Sequence, residues 1–313
     1  MRIVFLAAIL LVSVTGCRSE PAPKKVIGLS VLTLSHAFFN EIAQNMTEEA
    51  ARHGYDVVLV SGDDDVAKQD KQVKDFLVRR VDAIVLSPCN SMGIGPVIQL
   101  ANAAGVPVFT VDIACLAPGA KVISHVATDN YAGGKQAAEA MIEALGQAGG
   151  KIAILDNKAV ESCILRVKGF KDVLAKYNEN PGVGKIDIVK ELPGLGAKDQ
   201  GYKATEDLLQ AHADLRGIFA INDPSALGAR AALEKANRAD RVKIIGYDGQ
   251  PEGKQAIRDG KIVADPIQFP GKLGVETAKA IARYFEGEEI PPEILIQPRL
   301  YRQADAVKEL GAR

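Results

Sequence analysis

Five short clusters in this chain each follow an apolar, β-rich run, and their residue types suit one kind of chemistry. Ser35-His36-Ala37-Phe38-Phe39 follows the first run and Asp112 the fourth; Asn222-Asp223, Tyr247-Asp248 and Gln268 follow later ones. Carboxylates and side-chain amides match the alternating donors and acceptors of hydroxyl groups. Two adjacent aromatic rings offer apolar faces to the C–H faces of a sugar-like ring. Together they describe a hydroxyl-rich, uncharged ligand. Taken singly, Asp112, Asn222, Asp223 and Asp248 are equally good helix caps or turn residues. Their joint occurrence at strand ends favours a cleft, because ligands of open α/β sheets sit beyond the carboxyl ends of the strands.

Catalytic patterns are sparse. The chain has no G-x-G-x-x-G after a strand, no G-x-x-x-x-G-K-[ST] and no G-x-S-x-G elbow. His36, His53, His125 and His212 form neither H-E-x-x-H nor a Cys/His zinc grouping. The run Asp63-Asp64-Asp65 reads as a helix cap with first-turn carboxylates, since no EF-hand spacing follows it. Nothing in the pattern requires a metal or a cofactor. The enzymatic alternative is a sugar-active enzyme with Asp112 and Asp248 facing each other like a glycosidase pair.

The elements that must position these residues alternate along the chain. Apolar runs predict strands over 26–32, 55–61, 82–87, 106–112, 121–127, 151–156, 186–192, 216–221, 242–247 and 262–268. Amphipathic stretches predict helices over 38–52, 66–80, 131–145, 161–177, 198–211, 224–236 and 271–285. Continuous apolar runs such as AIVLS and KIAILD fit parallel strands covered on both faces. Gly54, Gly105, Gly146 and Gly260 stand where helices would stop. Repeated strand–helix units predict an α/β fold, and so many strands predict two lobes. The first takes residues 26–127 plus 268–297, the second 128–267 plus 298–313.

The first residues point to export. Arg2 precedes an apolar run over 3–12, and Val14-Thr15-Gly16-Cys17 places small residues before a cysteine. That run is too short to span a bilayer, which needs about 20 residues, and it fits a cleaved leader over 1–16. The pattern looks like a bacterial lipobox with Cys17 as the acyl attachment point and 17–25 as a polar tether. The expected location is the cell envelope, in the periplasm or on the outer face of the cytoplasmic membrane, with membrane contact through the lipid alone. A net charge of −1 creates no field for nucleic acid. Of four cysteines, Cys89, Cys115 and Cys163 remain after lipidation. Cys89 and Cys115 lie past neighbouring strand ends, a placement that permits a disulfide; two free thiols are the alternative.

From residue 26 to about 300 the chain resembles the ribose-binding proteins and related type I sugar-binding proteins of ABC importers. The resemblance rests on LSHAFFNEIAQNM, VPVFTVD, ISHVATDNYAGGKQA, RVKGF, IFAINDPSALGA, IIGYDGQPEGKQAI and ADPIQFPGKLG. It implies two doubly wound, Rossmann-like lobes joined by a three-segment hinge, and a monomer that closes on a neutral sugar or polyol and passes it to a permease. Presenting the ligand to a chemoreceptor or histidine kinase is the alternative within binding proteins. The implied ligand positions are His36, Phe38, Phe39 and Asp112 in the first lobe and Asn222, Asp248 and Gln268 in the second. Tyr247 replaces an aromatic beside Asp248. Two family arginines are matched by Ile113 and Ile164, and a pocket phenylalanine by Gly196; Arg166 matches a different family arginine. Losing two guanidinium forks removes bidentate hydroxyl recognition. Ribose is thereby disfavoured against a deoxy-sugar, a polyol or another monosaccharide.

Overall fold

A computed structural model describes residues 24–312, so the leader, the attachment point Cys17 and most of the tether lie outside the described residues. The first part of the chain runs β1 (Val26–Val31), α1 (Ala37–Arg52), β2 (Asp56–Ser61), α2 (Val66–Val78), β3 (Ala83–Leu86), α3 (Gly95–Ala103), β4 (Val108–Val111) and β5 (His125–Thr128). The second runs α4 (Asn130–Leu145), β6 (Gly150–Asp156), α5 (Glu161–Asn178), β7 (Ile186–Pro193), α6 (Lys198–Ala211), β8 (Leu215–Ala220), α7 (Asp223–Lys235), β9 (Lys243–Ile245), α8 (Pro251–Arg258) and β10 (Ala264–Ile267). The chain ends with α9 (Pro270–Phe285), β11 (Glu293–Ile296), β12 (Arg299–Arg302) and α10 (Gln303–Leu310). Among the described residues no helix is long and apolar enough to cross a membrane.

These elements build two sheets, ordered β2-β1-β3-β4-β5-β11 and β7-β6-β8-β9-β10-β12. The first is parallel throughout; in the second only β12 runs antiparallel, against β10. Strands such as β3 and β4 are buried along their whole length, as parallel strands covered on both faces must be. The chain passes between sheets after β5, after β10 and after β11. Asp129 N–H donates to Ile296 O at 2.9 Å, and Gln297 Nε2 donates to Asp129 Oδ2 at 3.1 Å, so two of these crossings brace each other.

Several helices that open onto the strand ends are capped by their own residues. His36 Nδ1 accepts from Phe38 N–H, Asp65 Oδ1 from Ala67 N–H, Asp129 Oδ1 from Ala132 N–H and Asn222 Oδ1 from Ser225 N–H. Of the acidic run at 63–65, Asp65 is the cap; Asp63 and Asp64 lie in the turn before it with positive φ, and the first turn of α2 carries no carboxylate. Sequence periodicity missed α3, α8 and α10, which are only eight or nine residues long. Two turns of helix carry too few apolar positions to show a period. The runs expected over 121–127 and 242–247 form shorter strands, because their flanks leave the ladder for the loops at the sheet ends.

Helices α4 and α5 approach closely where glycines face backbone. A Cβ on Gly134 would stand 2.0 Å from Arg166 O, and one on Gly169 would stand 2.2 Å from Tyr131 O. This contact sets the spacing of α4 and α5. Replacing Gly134 by Ala is expected to destabilise the protein by about 1–3 kcal/mol, read as a lower urea midpoint at unchanged slope.

Candidate functional site

The carboxyl ends of the two sheets face one another across a cavity of about 350 Å³. Residues reaching it from the first lobe are His36, Phe38 and Phe39 at the start of α1, and Asp112 and Ile113 after β4. The two phenylalanine rings meet edge to face, with centroids 5.2 Å apart. Both line the cavity because they occupy the first turn, where the chain is still curving out of its loop. Asp112 has a positive φ of 67°, which turns its carboxyl toward the cleft out of line with β4. Asn222, Asp248 and Gln268 arrive from the second lobe.

Asp248 is the most heavily bonded of these groups. Its Oδ1 accepts from Gln268 Nε2 at 2.7 Å and from Arg166 Nη1 at 3.2 Å, while its Oδ2 accepts from Gln250 Nε2 at 3.2 Å. Asn222 both lines the cavity and caps α7; its Nδ2 donates to Gly196 O at 3.0 Å. The cap reading and the cleft reading of Asn222 thus hold together.

Two expectations need correction, and the choice left open for Cys89 and Cys115 falls to the free thiols. Ile164 does not line the cavity: it is 40% exposed and borders a surface depression with Lys168 and Lys171. On α5 the cleft side is taken by Ser162, Cys163 and Arg166, and position 164 is turned about 100° from Cys163. Tyr247 is fully buried beneath the site; the Arg166 guanidinium lies 3.9 Å above its ring. Cys89 and Cys115 are free thiols. Cys89 faces inward, its N–H held by Gln69 Oε1 at 2.8 Å and its Sγ near Leu32 O, while the Cys115 thiol engages the Ala117 backbone. Burial pushes the Cys89 thiol up to about 12.

Arg166, which lines the cavity, and Gln250, which bonds Asp248, were not among the expected ligand positions. Buried Arg166 donates from Nε to Asn130 Oδ1 at 2.8 Å and from Nη1 to Ile221 O at 2.7 Å, besides its bond to Asp248. A signal was present: Arg166 stands three residues after Cys163, one turn along the same helix face. Gln250 Nε2 lies 3.1 Å from His36 Nε2, joining the lobes at one side of the cavity. A wider groove of about 670 Å³ runs beside the hinge, between α1, α9 and the 248–254 loop. It lacks Asp112, Arg166 and Asn222, and its walls carry Glu41, Lys254, Lys272 and Glu276.

The carboxyl groups of the site are buried. Burial raises the Asp112 carboxyl to about 7, against the opposing pull of Arg166, and its Oδ1 has no hydrogen-bond partner. Burial also lowers His36. Behind the site, buried Asp223 and Asp265 face each other carboxyl to carboxyl, and Asp223 Oδ2 accepts from Gln250 N–H at 2.6 Å. Burial raises both, Asp265 to about 6.

A carboxyl whose folded value lies above its ordinary one stabilises the fold below that ordinary value and loses the contribution as pH rises through the folded one. Asp112 and Asp265 therefore lose stabilisation as pH climbs from 3.8, the loss being complete near about 7 for Asp112 and about 6 for Asp265. His125, lowered by burial to about 4, acts oppositely, its contribution being lost as pH falls from about 6.5 toward 4. The melting temperature is expected to fall as pH rises from about 4 to 7, and Asp265→Asn to flatten the part of that fall below about pH 6 in a pH series of thermal melts.

The model of the periplasmic binding protein domain matches residues 27–289. The ribose import binding protein RbsB of Bacillus subtilis is 34% identical over 259 residues, covering 82% of this chain and 81% of its own. A solute-binding protein of an ABC transporter from Mycobacterium smegmatis, solved with bound glycerol, is 31% identical with a TM-score of 0.82, covering 93% of this chain and 98% of its own. Another, from Actinobacillus succinogenes and solved with bound D-allose, is 28% identical with a TM-score of 0.81, covering 91% and 100%. With its two parallel-dominated sheets closing on one cavity, the chain belongs to the periplasmic binding protein family, among the ribose-binding-like type I members.

Proposed function

We propose that this protein captures a neutral sugar or polyol between its lobes and delivers it to an ABC importer. The observation that carries this reading is the cavity itself: an aromatic pair on one lobe faces amide, carboxylate and guanidinium groups on the other. Its volume of about 350 Å³ sits at the small end of the usual range of about 300–1,000 Å³, which suits a monosaccharide-sized solute. Rings would stack on Phe38 and Phe39, and hydroxyls would replace water at Asn222, Asp248 and Gln268. Hinge rotation is required because neither lobe holds the whole site.

Ile113, Val160 and Cys163 add apolar lining to the cavity, where Ser162 and Arg166 are the polar groups of α5. That apolar lining supports a ligand with fewer hydroxyls facing it. Binding without catalysis is the reading for Asp248, whose two oxygens already accept from Gln268, Arg166 and Gln250. The protein acts as a monomer in the cell envelope, tethered through acylated Cys17, with a membrane permease as its partner.

Thermal shift with D-ribose, D-allose, glycerol and deoxy-sugars tests the reading, with calorimetry on the strongest binder. Stabilisation by at least one of these is expected, with D-ribose not the best. Phe38→Ala is expected to weaken that binding about tenfold or more, and Ile113→Arg to improve D-ribose relative to it. No stabilisation by any sugar or polyol, or recovery of a chemically altered ligand, would overturn the proposal.

A further inference from the structure

The start of α5 has no cap of its own. α1, α4 and α7 begin with side chains that cap their own first turns, whereas α5 begins after Val160, which, like Ala197 before α6, supplies no capping group. The first N–H groups of a helix have no partner within it. Here one is satisfied from the other lobe: Glu161 N–H donates to Ser91 Oγ at 2.9 Å. Ser91 N–H in turn donates to Ala159 O at 3.0 Å. Ser91 belongs to the loop after β3 in the first lobe, and Ala159 and Glu161 to the second. The Ser91 carbonyl accepts from Leu116 N–H at 2.8 Å, and the Glu161 carboxylate accepts from Ala114 N–H, so the loop following Asp112 and Ile113 joins the same contact. Ser91 is 2% exposed in this closed arrangement, and α5 is the helix that carries Cys163 and Arg166 into the cavity.

We propose that Ser91 is a positioning residue for ligand retention: its hydroxyl caps α5 across the cleft, completing that helix's first turn only when the lobes meet. Opening the cleft strips the cap from α5 and two backbone partners from the 88–91 and 114–116 loops together. Closure and the order of the arginine-bearing helix become one event. This rests on the reading of the protein as a solute binder that closes on its ligand.

The test uses the folded chain from residue 18 as wild type, Ser91→Ala and Ser91→Thr, with D-ribose, D-allose and glycerol as probes. Small-angle X-ray scattering reads closure with and without probe, amide exchange reads the first turn of α5, and stopped-flow mixing reads binding rates. Ser91→Ala is expected to shift scattering toward the open form and to speed exchange at the start of α5. It should raise the dissociation rate about fivefold, the usual scale of a lost cap, with association unchanged; Ser91→Thr should restore all three. Unchanged scattering and dissociation in Ser91→Ala would overturn the proposal, as would a lowered melting temperature with no change in either. If no probe binds wild type, the solute-binding reading fails, while exchange and scattering of the unliganded variants still judge the cap.

Discussion

The cleft is organised around a guanidinium that has nowhere else to go. A buried charge stripped of its partner costs about 3–5 kcal/mol, and Arg166 meets that constraint by reaching four places at once. It bonds the start of α4 at Asn130, the end of β8 at Ile221 and the loop after β9 at Asp248, and it lies on the Tyr247 ring. The close glycine contact of α4 on α5 brings its backbone within reach of these partners. A polar knot of this kind has few alternative arrangements, so Asn130, Arg166 and Asp248 hold one geometry, while the first turn of α5 waits on closure.

The same residues serve the fold and the ligand. His36 and Asn222 cap α1 and α7 while their side chains line the cavity. Strand, turn and helix start converge where each parallel strand ends, so backbone N–H groups that need a cap stand beside space that can admit a solute. Capping fixes the rotamers of these side chains before any ligand arrives, and less freedom is then lost on binding.

Much of this was legible in the sequence. Continuous apolar runs placed the parallel strands, and the polar residues after them placed most of the cleft, from Phe38 and Phe39 to Gln268. What stayed hidden depends on rotation about a helix or on depth beneath a surface. Ile164 and Arg166 are two residues apart on α5 and point to different sides, which linear matching cannot separate. Tyr247 neighbours Asp248 in the chain, yet one supports the site from below while the other faces it. Ser91 sits in a loop without periodicity, and its partner at Glu161 is 70 residues away. Cys89 and Cys115 end neighbouring strands, but their thiols turn to different backbone groups.

The last crossings of the chain set a folding order. Strand β11, at Glu293–Ile296, pairs with β5, at His125–Thr128, and becomes the outer strand of the first sheet. Strand β12 follows it and becomes the outer strand of the second. As the chain is made, β5 therefore keeps one side of unpaired backbone until the whole second lobe has been synthesised. An exposed strand edge is a template for pairing with another chain, and contacts so distant in sequence form slowly. The final twenty or so residues thus supply the outer strand of both sheets. A chain that ends early leaves β5 and β10, buried along their whole length here, as outer strands in place of the part-exposed β11 and β12, with aggregation as the natural outcome.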